Sequence, residues 1–157
     1  MYDTILVPVD GSAPSNAAVD EAVELAGAFG ATVHFLFVVD VEGFALDEHA
    51  GSLVEQLHRQ GEHAVEEARE TAERQDVTAF GEVREGVPHR TIVRYAEEID
   101  ADVVVMGTHG RKGFRHFLLG SVTERVVREA PVPVLTVRAP EEERGESGTE
   151  REESEES

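Results

Sequence analysis

The chain has 157 residues, with 14 Lys and Arg against 33 Asp and Glu, and a formal net charge of −19. Affinity for nucleic acid or an anionic membrane surface comes from Lys and Arg neutralising phosphates, so this field repels both and disfavours them as partners. No apolar run approaches the roughly 20 residues that span a bilayer, and no basic, apolar, small-residue signal pattern follows Met1; a soluble, cytoplasmic protein is expected. Without Cys there is no disulfide, thiol nucleophile or thiolate metal site, and the seven His are scattered rather than at ligand spacings, so structural zinc is not expected.

In chain order, Thr4-Ile5-Leu6-Val7-Pro8-Val9 is a continuous apolar run suited to a strand buried on both faces. It leads into Asp10-Gly11-Ser12, a carboxylate and a glycine turn. Ala18, Ala22, Leu25, Ala26 and Phe29 then fall on one helical stripe, between Ser12 as N-cap and Gly30 as stop. Thr32 to Val39 repeats the strand pattern and completes a β-α-β unit. Residues 40 to 52, with Gly43 and Gly51 and no clean period, make the longest connection, a candidate lid or dimer contact. Leu53, Leu57, Ala64, Val65, Ala68 and Ala72 form a longer helical stripe, interrupted by Gly61, and lead to a weaker strand from Val77 to Val83. Ile92, Val93, Ala96 and Ile99 predict a short helix opened by Pro88, and Ala101 to Met106 a buried strand. Val122, Val126, Val127 and Ala130 predict a last helix, and Val132 to Val137 a last strand.

Strands in strict alternation with helices predict an α/β fold, a doubly wound five-stranded parallel sheet with helices on both faces, because parallel strands need right-handed crossovers. If the strand order is 3-2-1-4-5, the reversal falls between the first and fourth strands, and ligands bind beyond the carboxyl ends at such a point. Pro133 cannot donate a ladder hydrogen bond, so the last strand is expected at an edge or to begin beyond the paired region. An apolar edge strand invites a partner chain.

From Ala139 to Ser157 the chain has no Ile, Leu, Val, Phe or Tyr and holds nine Glu and two Arg. It cannot bury a core and is expected to be a disordered acidic tail, 139–157, after a folded domain, 1–138. The tail carries −7 of the net charge and the folded part −12. Thirteen of the basic residues are Arg and one, Lys112, is Lys. An acidic surface with Arg in place of Lys reads as adaptation to high salt, with an ordinary acidic protein as the alternative.

The most specific segment begins where the fourth strand ends: Gly107-Thr-His-Gly110-Arg111-Lys112-Gly113, continuing to Gly120-Ser121-Val122-Thr123. Glycines allow positive φ and lack a Cβ, so backbone N–H groups can turn toward an anion, and the helix near Ser121 adds free N–H groups and the positive end of its dipole. The spacing is neither that of a P-loop nor that of the dinucleotide-binding fingerprint. Arg111, Lys112, Arg115 and His116 fall within six residues, and no acidic residue interrupts Gly107 to Thr123. A solvated surface loop stays open as the alternative, as does Ser121-Val-Thr-Glu124 serving only as a capping box. Asp10 is a candidate for a ribose hydroxyl or for Mg²⁺, or, with Ser12, for capping the first helix.

On these residues the chain resembles the universal stress proteins. The resemblance covers residues 1–138 and is carried by Ile5-Leu6-Val7-Pro8-Val9-Asp10-Gly11-Ser12, by Phe37-Val38-Val39-Asp40, by Gly86-Val87-Pro88, and by Gly107-x2-Gly110-x9-Gly120-Ser121. It implies an adenine-nucleotide alpha-hydrolase-like three-layer sandwich and, because every position of the last motif is kept, the ATP-binding branch. Carried over residue by residue, it implies adenine against Pro8, Val9, Val38 and Met106, and ribose near Asp10 and Gly107. Phosphates would meet Gly110, Gly120, Ser121, Val122 and Thr123, with Mg²⁺ or Mn²⁺ accompanying them and its ligands left open. It also implies a homodimer through Val132–Val137 and a nucleotide-dependent regulatory role in stress response, with no catalytic residue assigned. The alternative is a weak ATPase or autophosphorylating enzyme, in which Ser121, Thr123 and a metal would serve and His109 would be the available base. Joined to the acidic, Arg-rich composition, the resemblance points to a halophilic archaeon; the tail after Ala139 lies outside it.

Overall fold

Each apolar run of the sequence becomes a strand and each amphipathic stretch a helix in a computed structural model, which describes residues 2–42, 48–110 and 119–140. The elements are β1 (Thr4–Pro8), α1 (Ala13–Phe29), β2 (Thr32–Val39), α2 (Ala50–Glu73), β3 (Ala79–Glu85), α3 (Pro88–Glu98), β4 (Val103–Gly107), α4 (Ser121–Glu129) and β5 (Val134–Val137). All strand pairs are parallel, as the alternation predicts, and the order is the expected β3-β2-β1-β4-β5, so the reversal falls between β1 and β4.

The period of two along each strand divides the core. Ile5, Val7, Val33, Phe35, Phe37, Val103 and Val105 face α1 and α2, whereas Leu6, Leu36, Val104 and Met106 face α3 and α4. Ile5, Leu6 and Val7 are all fully buried, which is why β1 reads as a continuous apolar run rather than an alternating one. Burying each such side chain contributes about 1.5–3 kcal/mol.

Local chemistry sets the ends. Ser12 caps α1 by accepting the Ser15 N–H at 3.3 Å, and Gly30, at φ 68, ends it in the left-handed conformation that glycine adopts without steric cost. Gly61 sits mid-helix because α2 crosses β2 closely: a methyl group there would stand 2.6 Å from Phe37 Cδ1. The close approach outweighs the roughly 1 kcal/mol that glycine costs a helix relative to alanine.

Boundaries differ from the sequence expectation where polar residues join the ladder. β3 begins at Ala79 and runs to Glu85, instead of Val77 to Val83, because the Val77 N–H closes the turn after α2 by donating to Ala72 O at 3.0 Å. At a sheet edge its charged residues Glu82, Arg84 and Glu85 are ladder members with one face in water, so apolarity marks this strand poorly. β5 is the other edge and starts one residue after Pro133, whose carbonyl accepts the Val104 N–H. Gly51 and Ser52, assigned above to a connection, lie in the first turn of α2, where the N–H groups need no helical partner and weak helix formers are tolerated. The centre of that connection, the cationic window from Arg111 to His116 and the acidic stretch from Glu141 onward lie outside the described residues, with the expectations placed on them.

Candidate functional site

At the reversal between β1 and β4 the carboxyl ends of the strands diverge into a cavity of about 400 Å³. β1 brings Pro8 to it with Val9 just beyond the strand, β2 brings Val38, and β4 brings Met106 and Gly107. The turn after β1 adds Asp10, the loop after β4 adds Gly110, and the start of α4 adds Gly120, Ser121, Val122 and Thr123. All eleven residues that the resemblance assigns to the nucleotide thus line one cavity. Its lining is apolar on the strand side and polar where α4 begins.

Asp10 is held by the turn that it makes. Its N–H donates to Ser15 Oγ at 3.0 Å and its Oδ1 accepts the Ser12 N–H at 2.9 Å. Ser12 takes the N-cap position, so the capping role considered for Asp10 belongs to Ser12. The other carboxylate oxygen faces the loop after β4: a methyl group on Gly110 would stand 2.6 Å from Asp10 Oδ2.

The start of α4 departs from the capping-box alternative. Gly120 occupies the N-cap position, at φ −61 and ψ 158, and no side chain caps the helix. Ser121 is therefore the first helical residue, and its hydroxyl is not used as a cap. The N–H groups of the first turn have no carbonyl four residues back, and they belong to residues that line the cavity, where the helix dipole is positive. The buried Thr123 hydroxyl donates to Gly107 O at 2.8 Å and ties this helix to the end of β4. The Gly120 N–H donates to Thr108 O at 2.7 Å, and the Thr108 N–H to Val137 O at 2.9 Å. The polar end is thereby stitched to β4 and β5.

The glycines act through their missing Cβ and not through left-handed backbone. Positive φ among the described glycines occurs at Gly11, Gly30 and Gly86, and not at Gly107, Gly110 or Gly120. A methyl group on Gly107 would meet the Pro14 carbonyl carbon at 2.7 Å, and one on Gly120 the His109 Cα at 3.0 Å. Gly107 and Gly120 thus allow α1, β4 and α4 to converge, so of the two reasons expected for glycine in this segment the missing Cβ applies at Gly107, Gly110 and Gly120 and positive φ does not.

Six further residues line the cavity without having been named as contacts from the sequence: Ser15, Leu36, Asp40, Pro88, Ile92 and His109. Asp40 follows β2 as Asp10 follows β1, a parallel that was available as a signal, and Pro88 stands at the first position of α3. His109 Nδ1 shares a hydrogen bond of 3.1 Å with Thr108 Oγ1. No Lys or Arg is among the described residues of the lining, and what those residues offer an anion is the backbone N–H groups at the start of α4. Among the described residues no group of three or more His, Asp or Glu is arranged to hold a metal ion, and the cavity offers the Asp10 and Asp40 carboxylates.

The sequence profile of the Universal stress protein family matches residues 1–138. Universal stress protein MJ0531 of Methanocaldococcus jannaschii is 40% identical over 146 residues, which cover 91% of this chain and 86% of that protein. The solved structure of MJ0577, from the same organism, superposes with a TM-score of 0.80 at 29% identity, over 89% of this chain and 98% of that one. A universal stress protein crystallised in complex with cAMP superposes with a TM-score of 0.70 at 28% identity, over 88% of this chain and 99% of that one.

Proposed function

The chain belongs to the universal stress protein family, and from that premise we propose that it is an ATP-binding member acting as a nucleotide-dependent regulator. In this reading it is a cytoplasmic homodimer, adapted to the molar salt of a halophilic archaeon, whose nucleotide occupancy alters a surface read by partners under stress. Bound ATP shifts such a surface by its differential affinity for two states. One observation carries the reading: the single cavity at the strand reversal that gathers all eleven residues of the expected contact set.

The chemistry of that cavity suits an adenine nucleotide. Pro8, Val9, Val38 and Met106, joined by Leu36, Pro88 and Ile92, offer an apolar slot for a flat base. Asp10 is an acceptor for a ribose hydroxyl beside Gly107. The uncapped start of α4, with Gly120, Ser121, Val122 and Thr123, offers backbone donors to phosphates, and Gly110 stands on the loop facing them. The neighbour in complex with cAMP supports the adenine nucleotide class as ligand. A Mg²⁺ or Mn²⁺ would be held mainly by the phosphates, with Asp10 or Asp40 as protein ligand, since such ions are usually bound through one or two carboxylates plus substrate oxygens; it would neutralise phosphate charge. The dimer contact is assigned to β5, whose Leu135 is 40% exposed on a strand paired on one side only.

The test is the nucleotide content of the purified protein, followed by calorimetric titration with ATP in molar KCl. ATP is expected to co-purify or bind, and Gly120→Val is expected to weaken binding about tenfold or more, because the position has no room beside His109 and opens the helix that would meet the phosphates. Absence of any adenine nucleotide binding would sink the reading. The enzyme alternative keeps one favourable observation, the exposed Ser121 hydroxyl that caps nothing; the Thr123 hydroxyl is committed to Gly107. Steady ATP turnover that is lost in Asp10→Ala would promote that alternative over the regulator.

A further inference from the structure

We propose that Gly110 is a positioning residue for the ribose end of the cavity: its missing side chain leaves the space in which the Asp10 carboxylate stands, so the second glycine of the loop acts through Asp10. The proposal rests on the adenine-nucleotide reading and adds to it a residue that governs discrimination at the ribose.

Asp10 has little freedom to yield. Its N–H is bound to Ser15 Oγ at 3.0 Å, which fixes the backbone, and Oδ1 is bound to the Ser12 N–H at 2.9 Å, which fixes the plane of the carboxyl group. Ser15 is 5% exposed and sits in the first turn of α1, so this anchor is rigid. With one oxygen held by Ser12, the other is directed at Gly110. A methyl group on Gly110 would lie 2.6 Å from Oδ2 and 3.8 Å from Cγ, the first distance far inside van der Waals contact. Accommodating it requires the carboxylate to rotate, which breaks the Ser12 bond, or the loop to retreat.

The backbone at Gly110 makes the residue a clean probe. Its φ lies outside the left-handed region, so alanine introduces no backbone strain there, and its N–H is retained. If the glycine served an anion through its N–H alone, alanine would leave that function in place. The consequence of the contact with Asp10 is different: Gly110→Ala is expected to cost the interaction that Asp10 makes with a ribose hydroxyl.

The experiment uses the full chain as wild type, Gly110→Ala, Asp10→Ala and the double variant, each titrated with ATP, 2′-deoxy-ATP and 3′-deoxy-ATP. Wild type is expected to prefer ATP over at least one deoxy analogue by about tenfold, the worth of a hydrogen bond to a charged group. Both single variants should lose that preference, and the double variant should bind ATP no more weakly than Asp10→Ala, because the two residues act as a unit. Equal weakening of ATP and both deoxy analogues in Gly110→Ala, or additivity with Asp10→Ala, overturns the proposal. Should Gly110→Ala fail to fold, the double variant, in which the struck carboxylate is absent, is expected to recover folding; a double variant that stays unfolded overturns the proposal as well. Wild type that binds none of the nucleotides sinks the functional reading, whereas wild type that binds ATP and both deoxy analogues equally leaves that reading standing and sinks this one.

Discussion

Asp102 lies at the end of the sheet opposite the cavity, just before β4, and joins two strands that are distant in sequence. Its Oδ2 accepts the N–H groups of Asp3 and Thr4 at 2.8 and 2.9 Å. Those two backbone bonds hold the carboxyl below its ordinary range. A carboxyl lowered in the folded state contributes stability above its unfolded pKa of about 3.9, and the contribution is lost as the pH falls through that value and then through the folded one. Asp102→Ala is therefore expected to lower the midpoint of thermal unfolding at neutral pH, with the gap to wild type narrowing below about pH 4. A gap that stays constant across that range would overturn the account. The sequence shows Asp102 only as a polar residue in an apolar run, since its partners stand 99 and 98 positions away. Asp10 is the contrasting case: its turn with Ser12 spans two positions and is legible locally, whereas its meeting with Gly110 is not.

The two edge strands differ in ways that assign them different fates. β3 presents charge: Arg84 pairs with Glu82 at 3.0 Å and Glu98 at 2.8 Å, with its guanidinium 4.6 Å from the centre of the Tyr95 ring. Burial first, and then Glu82, push the Tyr95 phenol up to about 12, so it stays neutral under this cluster. Charged residues on an edge discourage pairing with another sheet. β5 has no such guard; Leu135 and, on the adjoining α4, Val127 are 40% and 44% exposed. The dimer proposed through β5 predicts that Leu135→Lys shifts the protein from dimer to monomer in sedimentation at micromolar concentration. A monomeric wild type, or a variant that stays dimeric, would refute the assignment. Element type was legible from periodicity for all five strands and four helices, but strand bounds were not: β3 and β5 shift because a strand half in water no longer has to be apolar, and β4 begins at Val103 instead of Ala101 because Asp102 is engaged with Asp3 and Thr4. Gly61 shows the same limit: the sequence marks it as a weak point of α2, and the approach of Phe37 supplies the reason for it.

Across the whole molecule the net charge of −19 is a term that opposes compaction, and salt screens it. Adaptation to high salt predicts that the unfolding midpoint rises with KCl through the molar range; a maximum at low salt would count against it. Screening weakens the repulsion of a polyphosphate by the acidic surface, while the backbone donors at the start of α4 act at contact distance and keep much of their attraction. The charge balance, the absence of Cys and the alternation of strand and helix, with the parallel sheet that it implies, were determined by the sequence alone, because composition and period follow from the order of residues and the geometry of the backbone; which strands pair, and so where the order reverses, was decided by the tertiary structure. Only the tertiary structure decided that eleven residues from five separate segments line one cavity, that Ser15, Asp40 and Ile92 join them, and that Gly107, Gly110 and Gly120 are needed for the atoms they leave out. The physical reason is that close packing is a relation between segments far apart in the chain: spacing along the sequence specifies which face a side chain takes, while the contact it makes there depends on where the other elements come to rest.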